Sequence, residues 1–266
     1  MAYLPKLTLH MYTLRNSMKT AEDLEKTFAR VVDMGYKSIQ ISKPAFFETQ
    51  EELAVMIKRY GLQADSAYCP VYDIPDRLDQ IARDAEAFET DVLRTNSIRK
   101  EDRFSIDGYR DFAKHLNHCG KLLRGMGLDF MYHFHAFEWI SFGDIRGIDI
   151  LLNETDPEYV MFQPDVFWMV SAGVEPSRAL EMFKGRVRYI HCKDYLIRPP
   201  KSEVLEMVPR ASGPVGSGNL HWDEIIKTAE KLGIDNFVAE DDLGILDPFV
   251  SAETSLRNME KLFGLL

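Results

Sequence analysis

Strand-like and helix-like segments alternate from end to end of this chain, and eight such pairs fit into about 250 residues, the length of one closed barrel. The runs Leu7–Met11, Ser38–Ile41, Ala64–Tyr68, Val92–Thr95, Phe130–His133, one ending at Asp165, Val187–His191 and Phe237–Glu240 read as strands. Helical stretches follow them: Thr20–Met34, Thr49 to Tyr60, Pro75–Phe88, Asp107–Gly127, the region of Ile148–Thr155, Ser177–Phe183, Trp222–Leu232 and Ser251–Phe263. Thr20 with Asp23 and Thr49 with Glu52 have the spacing of helix caps, and Gly35, Gly61 and Gly233 stand where helices should stop. Eight strand-then-helix units imply an α/β fold, a (β/α)8 TIM barrel spanning residues 1–266 as a single domain. An open doubly wound sheet is the competing architecture. It normally has fewer strands and a glycine-rich first turn, and Met11–Met18 contains no glycine.

In such a barrel the C-terminal strand ends share one mouth, so what stands at those ends bears on function. Phe130–His133 runs into His135 and Glu138, Tyr159–Phe162 into Asp165, Val187–Ile190 into His191, and Phe237–Ala239 into Glu240. Taken singly, an Asp at a strand end is usually a cap for the next helix, and a His in an apolar strand is usually a hydrogen-bonded core residue. Four acid or imidazole groups at four consecutive strand ends form a set suited to a divalent cation. Lys193 lies two residues beyond His191 and so points to the same side of that strand. The long irregular segment Tyr195–Gly218 follows the seventh strand and would overhang the mouth, as a lid or as a passive loop.

Composition narrows the classes. A formal net charge of −10 disfavours nucleic-acid binding, which leans on Lys and Arg against phosphates. Three cysteines without metal spacing favour free thiols in a reducing compartment. The N-terminus has no signal pattern and no apolar stretch is long enough to span a membrane, so a cytoplasmic protein is expected.

Several segments carry a family resemblance. YHFHAFEW (Tyr132–Trp139), QPDVFW (Gln163–Trp168), GRVRYIHCKDY (Gly185–Tyr195), VGSGNLHW (Val215–Trp222) and VAEDD (Val238–Asp242) lie in the order found in sugar phosphate isomerases/epimerases, the xylose isomerase-like barrels. YTLR (Tyr12–Arg15) is a weaker match. The chain resembles that family. The resemblance implies one divalent metal, most often Mn2+ with Mg2+, Co2+ or Zn2+ as alternatives, held by Glu, Asp, His and Glu. Carried onto this sequence, Asp165, His191 and Glu240 are ligands and Glu138 is the fourth, with His133 as the alternative. The family's Asn between the two histidines is Phe134 here, Gln40 stands where relatives often have Glu, and Tyr68 where they often have His.

The chemistry expected of such a site is proton abstraction beside a metal-polarised carbonyl of a carbohydrate. His135 is the first acid/base candidate because imidazole titrates near neutrality, with Glu138 and Glu240 also able to exchange protons and His133 in support. Lys193 would bind a substrate oxygen or form a structural ion pair. Arg15, Tyr68 and Trp168 are substrate-binding candidates, and Phe167 with Trp168 would offer an apolar wall or simple core packing. VGSGNLHW reads as a tight turn into a helix, because it is too short for a phosphate loop. The outcome expected is a sugar isomerase or epimerase. A lyase using the same enolising site is the alternative, and an endonuclease or a non-catalytic sugar-binding barrel is less favoured. A homo-oligomer is compatible with all of these.

Overall fold

The computed structural model describes residues 3–198 and 210–266. Eight parallel staves form the barrel: β1 Lys6–His10, β2 Ser38–Gln40, β3 in two pieces (Gln63–Ala64 and Ala67–Tyr68), β4 Val92–Asn96, β5 Asp129–His133, β6 Met161–Gln163, β7 Tyr189–Cys192 and β8 Asn236–Ala239. Strands β7, β8, β1, β2 and the first piece of β3 pair in that order, and the second piece of β3 pairs on through β4 and β5 to β6. Bridges Phe162↔Val187 and Asp165↔His191 join β6 to β7 and close the ring.

The helices lie outside, each burying one face. In α4, Ile106–Arg124, the residues Tyr109, Phe112, Leu116, Cys119 and Leu123 are buried at helical spacing. Thr20 accepts from the Asp23 amide at the start of α1 (Ala21–Met34), and Thr49 forms a complete capping box with Glu52 at the start of α2 (Gln50–Arg59). Arg186, in the segment before β7, is a buried guanidinium that donates to the carbonyls of Leu152 and Val160 and to Thr155 Oγ1. These contacts tie the start of β7 to the chain on either side of the turn before β6, so the arginine of the motif is architectural.

The barrel interior follows the two-residue period of a strand. Val92, Met131, Tyr189 and Val238 form a small apolar floor. Two residues further along their strands come Arg94, His133, His191 and Glu240, and two further again Asn96, His135, Lys193 and Asp242. All eight line one cavity.

Three expectations need correction. The sixth strand stops at Gln163 rather than at Asp165, and Asp165 instead caps a short helix, Val166–Ser171, that the sequence pattern did not reveal. The third strand is split, with Asp65 and Ser66 between its pieces. The segment Tyr195–Gly218 is not irregular throughout: Asp194–Ile197 and Arg210–Gly213 pair as an antiparallel ribbon, while residues 199–209 of the expected lid lie outside the described residues. Cys69, Cys119 and Cys192 are buried free thiols. Among the described residues no helix is long and apolar enough to cross a membrane.

Candidate functional site

The cavity at the C-terminal mouth has a volume of about 470 Å³, within the usual range for small-molecule sites. At its base, one ligating atom each from His133, Asp165 and His191 fall within 4.8 Å of one another, and all three residues are buried. Asp165 Oδ2 lies 3.8 Å from His191 Nδ1 and 4.0 Å from His133 Nε2, and Glu240 Oε2 lies 3.1 Å from His191 Nδ1.

Neighbouring groups fix which nitrogen of each imidazole faces this centre. The carbonyl of Gln163 can only accept, so His133 Nδ1 donates to it at 3.2 Å and Nε2 is left bare. Gln40 Nε2 donates to the Asp65 carboxylate at 3.0 Å, which turns Gln40 Oε1 towards His191. His191 Nε2 therefore donates to that oxygen at 2.7 Å, and Nδ1 faces the carboxylates. Gln40, which stands where relatives often carry Glu, thus serves to orient His191.

Asp165 does two jobs with its two oxygens. Oδ1 accepts from the amides of Phe167 and Trp168 at 3.0 and 3.2 Å, the cap that a strand-end Asp is expected to make. Among the described residues neither Oδ2 nor His191 Nδ1 makes an aligned hydrogen bond, although the Lys193 ammonium lies 3.1 Å from the first and Glu240 Oε2 3.1 Å from the second. With bare His133 Nε2 and Glu240 Oε2 beside them, they make a nitrogen and oxygen donor set that fits a divalent cation.

Lys193 is 1 % exposed, and its ammonium sits 2.8 Å from Glu240 Oε2, 3.1 Å from Asp165 Oδ2 and 3.2 Å from Asp242 Oδ2. Burial opposes its charge, but the three carboxylates outweigh that and raise its pKa. Burial likewise opposes the charge on Glu240, yet the Lys193 ammonium holds that carboxyl well below the usual range. Three carboxylates against one ammonium leave two negative charges, which a dication balances.

Glu138 is not brought to this centre. Phe134 to Trp139 turns the chain outwards, and the Glu138 carboxylate accepts from Tyr132 Oη and, at 2.8 Å, from the His135 amide in the layer between barrel and helices. Its place near the cluster is taken by His133, the alternative. Burial pushes Glu138 up to about 7. His135 lines the cavity, but burial and then the Lys193 cation push it down to about 4, so it is neutral at pH 7 rather than half-titrated. Among the described residues its Nδ1 is buried without a hydrogen-bond partner.

Of the expected substrate contacts, Tyr68 lines the cavity and donates to Asn96 Oδ1 at 3.0 Å. Arg15 lies in an adjoining groove and donates to the carbonyls of Tyr12 and Asp242, both at 2.9 Å, tying the first loop to the last. The Trp168 ring stands behind the first layer, 5.6 Å from Lys193 Nζ and 5.7 Å from the His135 ring, and Phe167 is wholly buried. Arg94, Asn96 and His10 line the cavity and were not singled out by sequence. The available signal was Arg94, a charge in the middle of the apolar run Val92–Thr95.

The family model for xylose isomerase-like TIM barrels matches residues 28–241. Inosose dehydratase 2 of Bacillus cereus is 27% identical over 172 residues, 61% of this chain and 57% of that protein. The chain thus spans little more than half the length of the curated relatives it matches. A sugar phosphate isomerase/epimerase from Parabacteroides distasonis ATCC 8503 superposes with a TM-score of 0.77 at 19% identity, over 97% of this chain and 96% of its own. A xylose isomerase-like TIM barrel protein from Mycobacterium smegmatis, solved in complex with magnesium, gives a TM-score of 0.68 at 17% identity, over 98% and 97% of the two chains. With the match covering residues 28–241, the chain belongs to the xylose isomerase-like TIM barrel family.

Proposed function

We propose that this protein is a divalent-metal-dependent enzyme that enolises a carbohydrate bearing a carbonyl group and returns it as an isomer or epimer. The observation that carries the reading is the convergence of buried His133 Nε2, Asp165 Oδ2, His191 Nδ1 and Glu240 Oε2 at the base of the cavity, where the carboxylates outnumber the Lys193 ammonium. A divalent cation held by His133, Asp165, His191 and Glu240, manganese first and magnesium, cobalt or zinc as alternatives, supplies a Lewis acid for a substrate carbonyl or hydroxyl oxygen.

The chain's own groups do the rest. His135 is unprotonated at neutral pH and lines the cavity, so its imidazole can take a proton from the carbon next to the carbonyl. Lys193 keeps Glu240 and Asp165 ionised and offers its ammonium to a substrate oxygen at the cavity wall. Tyr68 and Asn96 present a hydroxyl and an amide to the sugar's hydroxyls. Returning the proton from His135 to the former carbonyl carbon, while the adjacent hydroxyl proton passes to the former carbonyl oxygen, gives an isomer. Delivering it to a departing β-hydroxyl gives a dehydration, and the likeness to inosose dehydratases favours keeping that second outcome. The reading places the enzyme in the cytoplasm, with a small carbohydrate and not nucleic acid as its partner.

The test is manganese-loaded protein in deuterated water with an inosose, a ketopentose and a ketohexose. Deuterium entering the carbon beside the carbonyl without loss of water supports isomerisation. Deuterium accompanied by an unsaturated product supports dehydration. No exchange into any of the three contradicts the enolisation.

A further inference from the structure

Among the described residues, Arg94 is the one cation of the cavity lining that the cluster does not engage. It projects from the middle of β4, is 2 % exposed, and lines the cavity with Tyr68, Asn96, His133 and His135. Its Nε and Nη2 are buried and have no hydrogen-bond partner among the described residues. Among those residues no carboxylate oxygen comes within 4.0 Å of it. Its charge is answered only at longer range, by Asp65 and Glu240, and its guanidinium carbon stands 4.9 Å from the centre of the Tyr68 ring. By contrast, Lys193 is held by three carboxylates, and Arg186 and Arg15 are satisfied by carbonyls.

Nε and Nη2 form one edge of the guanidinium, two parallel donors spaced to match the two oxygens of a planar anion. A buried charged edge without a partner is costly and unusual unless something else supplies the acceptors. We infer that Arg94 seats a carboxylate group of the substrate, so that the cavity takes a sugar acid rather than a neutral sugar. The inference rests on the proposed metal-assisted reading for the position of the sugar and adds the class of sugar.

Charge separates a carboxylate from a phosphate. Lys193 is taken up by Asp165, Glu240 and Asp242, so among the described residues the lining offers an anion the single charge of Arg94, one short of a phosphate dianion. A planar monoanion places less uncompensated charge in a buried site and fits the Nε–Nη2 edge with both oxygens.

The test uses D-glucuronate, D-glucose and D-glucose 6-phosphate, which share a ring and differ at the sixth carbon. Affinities are measured by calorimetry on manganese-loaded wild type, R94M and R94K, with manganese uptake measured separately by electron paramagnetic resonance. Wild type should bind glucuronate about tenfold or more tightly than glucose, the usual scale for hydrogen bonds to a charged group. R94M should reduce that preference to within about twofold with manganese uptake unchanged, and R94K should restore part of it. In 15N-arginine spectra of wild type, glucuronate should shift a buried guanidinium Nε–H signal that is missing from R94K, a readout that does not depend on R94M folding. Equal affinity for the three sugars, failure to bind any of them, or a preference retained in R94M overturns the inference. Tighter binding of glucose 6-phosphate than of glucuronate overturns the choice of carboxylate. Failure to take up manganese overturns the metal reading alone, because the Arg94 signal is recorded with and without the ion.

Discussion

Asp165 shows how one side chain serves fold and chemistry together. A carboxylate has lone pairs on two oxygens, and here one oxygen closes the first turn of a helix while the other is left facing two imidazoles and an ammonium. A helix-cap reading of a strand-end Asp and a ligand reading are therefore compatible. Glu240 faces the same cluster, and Glu240→Gln should abolish activity and weaken manganese uptake while leaving the thermal unfolding midpoint within a few degrees of wild type. Near wild-type turnover would remove Glu240 from the site. His135→Ala should reduce turnover by about 100-fold, the scale of a positioned acid/base group, whereas a twofold change would return it to packing.

Glu138 gives the opposite expectation. Its folded pKa of about 7 lies above the ordinary 4.5, so between those values the folded state holds more protons than the unfolded chain. Its contribution to stability is present at low pH and is lost as pH rises from 4.5 through 7. Glu138→Gln removes that slope, so the melting temperature of the variant relative to wild type should be higher at pH 8 than at pH 5, with manganese uptake intact. Lost manganese uptake would make Glu138 a ligand after all.

At the scale of elements, the seventh βα unit holds the mouth in shape. Asp194 is buried at the start of the ribbon and accepts from the Gly218 amide at 2.9 Å, the Leu220 amide at 3.2 Å and Trp222 Nε1 at 2.7 Å. A Cβ at Gly218 would come within 2.5 Å of the Asp194 carboxylate and 2.6 Å of the Tyr195 carbonyl, so the Gly-x-x-x-Trp spacing is set by one acid's reach. Asp194→Ala strands those donors and should cost about 3 kcal/mol in urea unfolding, as expected for a buried acid with several partners. A loss below about 0.5 kcal/mol would mean that the turn holds itself.

The same elements show what was legible in the sequence. Strand and helix periods, caps and stop glycines were readable because they are local properties of a few neighbouring residues. The convergence of Asp165, His191 and Glu240 was readable because barrel topology carries strand ends to one mouth. The exit path of the chain after His133 was not, because whether Glu138 turns inwards or outwards depends on the Tyr132 hydroxyl and on packing against α4, which are long-range contacts. Arg94 escaped for a related reason. A charged residue within a buried strand has meaning only once its neighbours are known, and those neighbours come from other staves.

For the molecule as a whole, the barrel is a device for stacking chemistry on a floor. Val92, Met131, Tyr189 and Val238 plug the interior, and the next two layers on the same four strands carry every group of the proposed mechanism except Asp165 and Tyr68. Burial makes unpaired charge expensive there, which is why three carboxylates with one ammonium call for a dication. The direct measurement is manganese stoichiometry by electron paramagnetic resonance on protein stripped with chelator and reloaded, for wild type beside Asp165→Asn and His191→Ala. About one equivalent is expected for wild type and a large loss in both variants. Less than about a tenth of an equivalent in wild type, or full uptake by both variants, would contradict that expectation.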